Sequence, residues 1–182
     1  MKWIHLTTPL DGEAVRPLRA GDAVLFSGVF YVARDRAHER LRRMIENGEA
    51  LPFDPRGQVI YFMGPSPAPP GRVIGSAGPT TSYRMDPFAG TMCRAGVRAF
   101  IGKGKRSAGA RAAMMECGAV YFSSFGGAGA YLSRRIVSSE VLAFEDLGPE
   151  AVYRLEVAEF PAIVINDIHG GDLYEDELSK RG

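Results

Sequence analysis

Only two cysteines, Cys93 and Cys117, occur in 182 residues. Two thiols are too few for a disulfide framework, and neither sits in a Cys-x-x-Cys pair, so each reads as a free, buried or half-buried thiol. Histidine is almost as scarce. His5, His38 and His169 are far apart and lack a His-x-x-Glu-His context, so no metal-ligand cluster is visible in the chain. An excess of charge of one sign is missing too. Lysine and arginine number 22 against 21 acidic residues, a net charge of +1, which argues against a partner held by phosphate electrostatics, DNA and RNA included. No stretch approaches the roughly 20 apolar residues of a membrane-spanning helix. His5, Thr7 and Thr8 interrupt the N-terminal hydrophobicity that a targeting signal would need. The expectation is a cytoplasmic protein with neither a nucleic-acid nor a membrane partner.

What is present suits a globular α/β domain. A composition of 46% hydrophobic and 24% charged residues is ordinary, and the length predicts one domain over 1–182 with a core of its own. Residues 22–27 and 29–33 read as two short strands separated by Gly28. Spacing then turns helical over 34–46: Ala37, Leu41, Met44 and Ile45 share a face, and Gly48 ends the run. His38 lies four residues after Arg34 and reads as part of that helix's polar edge. Eight of the twelve prolines fall between Pro52 and Pro87. Proline lacks the N–H of a sheet ladder, and β-type segments at 58–63 and 72–74 flank the run, which predicts an ordered loop rather than a linker. Further on, strands are expected at 97–101, 119–123, 141–145, 153–157 and 162–166, helices at 107–117 and 126–135, and a frayed polar tail at 172–182. Such a mixture implies two or three layers.

Two glycine-rich stretches fail as nucleotide motifs. Around Gly102-Lys103-Gly104-Lys105-Arg106-Ser107 the Walker spacing places Ile101 where glycine is required, and Gly104 where a hydroxyl should follow the lysine. Gly127-Ala128-Gly129 has Leu132 in place of the third glycine of a dinucleotide fingerprint, and reads better as close packing of a helix. Residues 75–86 (Gly-Ser-Ala-Gly-Pro-Thr-Thr-Ser-Tyr-Arg-Met-Asp) are richer in chemistry. Glycines permit a close approach, the hydroxyls of Thr80, Thr81 and Ser82 can cap a helix, and Arg84 can fork onto a carboxylate. A capped helix start and an anion site both fit this composition.

Gly78-Pro79-Thr80-Thr81-Ser82-x-Arg84-Met85 resembles the signature of the iron–sulfur hydro-lyase β-type domain, shared by class I fumarases and L-tartrate dehydratases. Ala33-Arg34-Asp35-x-x-His38, Leu51-Pro52-Phe53-Asp54, Ile101-Gly102-Lys103-Gly104, Ala119-Val120-Tyr121-Phe122, the segment from Glu145 to Glu150 and His169-Gly170-Gly171 follow in the family's order. The likeness runs from about Thr8 to Tyr174. It implies a swivelling β/β/α domain, a layered mixed sheet with helices, and the reversible hydration of fumarate to (S)-malate. It also implies a 4Fe-4S cluster held by three cysteines of a partner α subunit in a hetero-oligomer, with none on this chain. By the same resemblance Arg34, Arg84 and Lys103 bind the dicarboxylate, Thr81 and Ser82 help position it, and Thr80 transfers the proton; Thr80, Arg84 and Lys103 form the catalytic set. Gly75-Ser76-Ala77 and the uninterrupted Gly126-Gly127-Ala128-Gly129 favour a fumarase over a tartrate or mesaconate-type dehydratase. A non-catalytic carboxylate-binding scaffold is the alternative of another class. It has no chemical need for that whole set of residues.

Overall fold

Strands buried on both faces carry near-continuous apolar runs rather than an in–out alternation, and Val59-Ile60-Tyr61 and Ala99-Phe100-Ile101 are such runs. The computed structural model describes residues 2–180. Its strands are β1 (Trp3–Thr7), β2 (Ala23–Val32), β3 (Val59–Tyr61), β4 (Ala99–Gly102), β5 (Val120–Ser123), β6 (Ile136–Ala143) and β7 (Val152–Asn166). The helices are α1 (Gly12–Val15), α2 (Asp35–Glu46), α3 (Asp86–Ala95), α4 (Ala108–Glu116), α5 (Gly129–Leu132) and α6 (Leu173–Ser179). None of the described helices is long and apolar enough to cross a membrane.

The result is a mixed α/β domain built on one seven-stranded sheet in the order β1-β2-β3-β4-β5-β7-β6. β2, β3, β4 and β5 run parallel, and the crossovers between them are α2, α3 and α4. β7 runs against them. It pairs with β5 near its C-terminal end and with β2 along most of its length. The pairings β2–β3–β4–β5–β7–β2 therefore close into a ring, with β1 and β6 added as edges.

Closure makes two cores out of one sheet. Alternation along each strand sends Phe26, Phe30, Tyr61, Phe122 and Phe160 inward, where edge-to-face contacts link their rings at centroid distances of 5.0 to 6.3 Å. Each such contact adds about 0.5–1.5 kcal/mol beyond burial alone. Ile60, Phe62, Phe100 and Tyr121 point outward and pack under the helices against Leu41, Met92 and Met114.

The structure redraws several expected boundaries. Residues 22–27 and 29–33 form one strand, β2, which absorbs a register shift between Phe26 and Gly28 instead of breaking. Residues 153–157 and 162–166 belong to one fifteen-residue strand, β7, which carries Pro161 opposite Leu25. The helix expected at 126–135 shrinks to α5 and a 3-10 turn, Ser133–Arg135, and the next strand begins at Ile136 rather than 141. Residues 72–74 join no strand. The tail is helical over Leu173–Ser179, because Asp172 accepts from Tyr174 and Glu175 at its start and pairs with Arg111 of α4; Arg181 and Gly182 lie outside the described residues. Between Phe62 and Thr81 the proline-rich loop is held by a Met63–Pro79 bridge and by the Thr80 N–H on the Phe62 carbonyl at 2.7 Å. β1 and α1 have no counterpart in the sequence reading, and α3 answers only to the helix start weighed for residues 75–86.

Candidate active site

Open α/β sheets bind ligands beyond the carboxyl ends of their parallel strands. Arg34 follows the end of β2, Thr80 to Arg84 lie on the connection after β3, and Lys103 follows β4. One end of the ring thus carries every residue singled out from sequence.

Arg34 is the N-cap residue of α2, in extended conformation, and its side chain lies against Gly64. A Cβ at Gly64 would sit 2.3 Å from Arg34 Nη1, so any larger residue there would shift this guanidinium from its place. Arg34 Nε is buried without a hydrogen-bond partner. The Arg34 carbonyl accepts from the His38 N–H at 2.8 Å and lies 2.9 Å from His38 Nδ1, which must carry a proton to donate to a carbonyl. His38 is not part of a polar edge. It is 1% exposed, packed against Phe62 and Phe88, and burial lowers its pKa from 6.5 to about 4, so it is neutral at physiological pH.

The signature loop docks along the end of β4 like a short extra strand. Lys103 N–H donates to the Thr80 carbonyl at 3.2 Å, and Ser82 N–H donates to the Lys103 carbonyl at 3.0 Å. Ser82 fits because residue 102 is glycine: a Cβ there would come within 1.9 Å of Ser82 Oγ. Ser82 is fully buried, and its Oγ accepts from Lys103 N–H at 3.1 Å. The Tyr121 hydroxyl lies 2.9 Å from both Ser82 Oγ and the Gly104 carbonyl. A carbonyl only accepts, so Tyr121 donates to Gly104 and receives the Ser82 proton. Burial pushes the Tyr121 pKa up, which keeps that proton in place. Ser82 thereby positions Lys103, and its hydroxyl is out of reach of solvent. The hydroxyls expected to cap a helix here do not: Thr81 makes no side-chain cap bond, only a 3-10 turn (Ser82–Met85) follows, and α3 starts at Asp86.

Arg84 and Lys103 are exposed, and Thr80 and Thr81 half-buried. Arg84 Nη2 lies 3.4 Å from Thr80 Oγ1, and Arg84 Nε lies 3.2 Å from Asp35 Oδ1 on the first residue of α2. A Cβ at Gly126, in the loop after β5, would sit 3.8 Å from Lys103 Cδ. The tertiary structure thus brings Arg34–Asp35, Thr80–Arg84 and Lys103 to one end of the ring, a patch of three cations and one carboxylate in which Arg84 touches both Thr80 and Asp35 and Lys103 is tied to the loop through its backbone. Chemically it can receive a dianion and hold a hydroxyl beside a guanidinium. Sequence reasoning missed Asp35, Gly64 and Tyr121 as parts of this patch. Asp35 had a signal in its place beside Arg34, and Tyr121 in the family-like segment Ala119-Val120-Tyr121-Phe122; Gly64 had none.

The cysteines lie elsewhere. Cys93 is buried on α3, and burial pushes its thiol up to about 12, which disfavours a thiolate ligand. Among the described residues no group of three or more His, Cys, Asp or Glu side chains could hold a metal ion.

The family described as Fumarase C-terminus matches residues 1–177. Fumarate hydratase 2 of Leishmania major is 36% identical over 180 residues, which cover 97% of this chain and 32% of that protein. A putative class I fumarate hydratase of Geobacillus stearothermophilus is 36% identical over 95% of this chain and 34% of its own length. The chain thus spans about a third of these relatives. The putative L(+)-tartrate dehydratase subunit beta of Methanocaldococcus jannaschii is 36% identical over 94% of this chain and 91% of its own length. The match over nearly the whole chain, at a sheet end built from the signature segments, makes this protein a member of the Fumarase C-terminus family.

Proposed function

We propose that this chain is the β-type half of a hydro-lyase that reversibly hydrates fumarate to (S)-malate, with its site completed by a partner α subunit in a cytoplasmic hetero-oligomer. The observation that carries the reading is that Arg84 stands beside Thr80 Oγ1, with the Lys103 backbone bonded to Thr80 and Arg34 at the same end of the ring. In it the domain is of the swivelling β/β/α type. Malate dehydration removes a proton from the carbon beside a carboxylate, so negative charge builds up there in the transition state. Arginine forks match both oxygens of a carboxylate, and fixed cations stabilise charge as it develops. Arg34, Arg84 and Lys103 hold the two carboxylates, and Thr81 lines the site. A threonine hydroxyl is a weak base, but the Arg84 Nη2 beside Thr80 Oγ1 favours its alkoxide.

The residues of this chain do not fit the 4Fe-4S cluster implied by the family, given the buried, high-pKa Cys93. In this reading the α subunit holds the cluster. A second reading, a tartrate dehydratase β subunit, is favoured by one observation: the M. jannaschii relative matches over 91% of its length, as a separate subunit would. Kinetics of the anaerobically assembled complex on fumarate, L-tartrate and mesaconate separate the readings. Fumarate is expected to give the highest kcat/KM. A preference for L-tartrate overturns the fumarase assignment, and no turnover of any of the three overturns the hydro-lyase.

A further inference from the structure

Among the described residues, Arg84 is the one cation of the patch paired with a carboxylate: its Nε lies 3.2 Å from Asp35 Oδ1. We infer that Asp35 is a positioning residue that aims Arg84 at the substrate carboxylate and at Thr80, an inference that rests on the hydro-lyase reading above. The geometry of the fork carries it. The described contacts of Arg84 are an ion pair of Nε with Asp35 Oδ1 at 3.2 Å and a hydrogen bond from Nη2 to Thr80 Oγ1 at 3.4 Å. These two nitrogens form one edge of the guanidinium. The other edge, Nη1 with the second Nη2 hydrogen, has no partner among the described residues and can take a carboxylate in bidentate fashion. Without Asp35 a long side chain that is 39% exposed would sample many rotamers, and ordering it would be charged against substrate binding.

Stability gives no adequate reason for the pair. Both side chains are more than a third exposed, and ion pairs of that kind contribute little to folding. Asp35 also stands in the first turn of α2, where a carboxylate complements the helix dipole. That role is independent of Arg84, and this independence separates the two accounts. The electrostatics separate them further. Deleting Asp35 leaves the patch more positive, so charge alone predicts tighter binding of a dianion and a lower KM. Positioning predicts the opposite.

The test is a double-mutant cycle in the assembled complex, with fumarate and malate as substrates. Asp35→Ala is expected to raise KM roughly 10-fold and to lower kcat, as for a fork that has lost its orientation. Asp35→Asn, which keeps an acceptor oxygen at the same place, should recover part of the loss. In an Arg84→Lys background, Asp35→Ala should change kcat/KM by less than about 3-fold, because the group it positions is gone. In the isotope-labelled full chain, the Arg84 Nε–H resonance should shift on Asp35→Ala with no ligand present. An equal Asp35→Ala effect in both backgrounds, or an unchanged or lower KM, overturns the inference while the hydro-lyase reading stands. An Arg84→Lys enzyme as active as the wild type overturns the inference alone, and a wild-type complex without turnover overturns both.

Discussion

At Thr80, a hydroxyl 3.4 Å from a guanidinium can act as a proton carrier or merely as a loop contact, and substitution separates the two. Thr80→Val keeps the shape and removes the hydroxyl. In the assembled enzyme kcat should fall roughly 100-fold or more, typical of losing a positioned acid–base group, with KM little changed. Exchange of the malate C3 proton with solvent reports that step, and a variant that exchanges at the wild-type rate would make Thr80 a structural residue. In the proposed reading Arg84 binds the substrate carboxylate in both ground and transition states, so Arg84→Lys should raise KM and lower kcat together. His38 tests the frame behind them. Its folded pKa of about 4 lies below the ordinary 6.5, so as pH falls through that window the unfolded chain takes up a proton that the folded chain refuses. Stability should therefore decline from about pH 6.5 towards pH 4, by roughly 3 kcal/mol at full effect. Urea denaturation of the wild type and of His38→Gln across that range checks it: the slope should be shallower in the variant.

Among the elements, the N-termini of α3 and α4 are tied by a single side chain. Asp86 accepts from the Ser107 N–H at 2.7 Å and pairs with Arg106 Nε. The Arg106 side chain is wholly buried beneath Phe62, Phe100 and Tyr121. Asp86→Ala strands a buried guanidinium, a change that costs about 3–5 kcal/mol, and denaturant midpoints should drop accordingly. At the end of β4, Gly102→Ala would drive a methyl into Ser82 Oγ and lift the signature loop off Lys103. Activity should vanish while circular dichroism shows the helices and strands retained. Elements with a local signature were readable in advance. α2 has its 3.6-residue apolar spacing, and α4 has Ser107, whose side chain accepts from Ala110 N–H as an N-cap. β7 was not readable as one strand, because Pro161 and the glutamates before it look like a break; only pairing with β2, over 153–157 and again over 160–163, carries the strand through.

For the whole molecule, the closed ring predicts where stability is concentrated. Phe160 touches Phe30 and Tyr61 at centroid distances of 5.3 Å inside it, and Phe160→Ala should cost about 3–5 kcal/mol through the cavity it leaves. The same two-core fold should stand without a partner. The isolated chain is expected to be folded, colourless and inactive, and to remain without a stoichiometric cluster after anaerobic treatment with iron and sulfide. Visible absorbance of such a cluster on this chain alone would overturn the two-subunit proposal.

The linear sequence by itself determined which chemical groups are available: the cations at 34, 84 and 103, the hydroxyls at 80 to 82, and the family signature that contains them. It determined the local periods of α2 and α4 as well, because helical bonding and capping act within a few residues. Only the tertiary structure decided that β2 and β7 are continuous, that five strands close into a ring, and that His38 is buried and neutral. It alone set Asp35 against Arg84, and Ser82 between Lys103 and Tyr121. These contacts join residues far apart in the chain. Their geometry follows from strand register, which depends on how every parallel strand packs against its neighbours, and no local pattern encodes it.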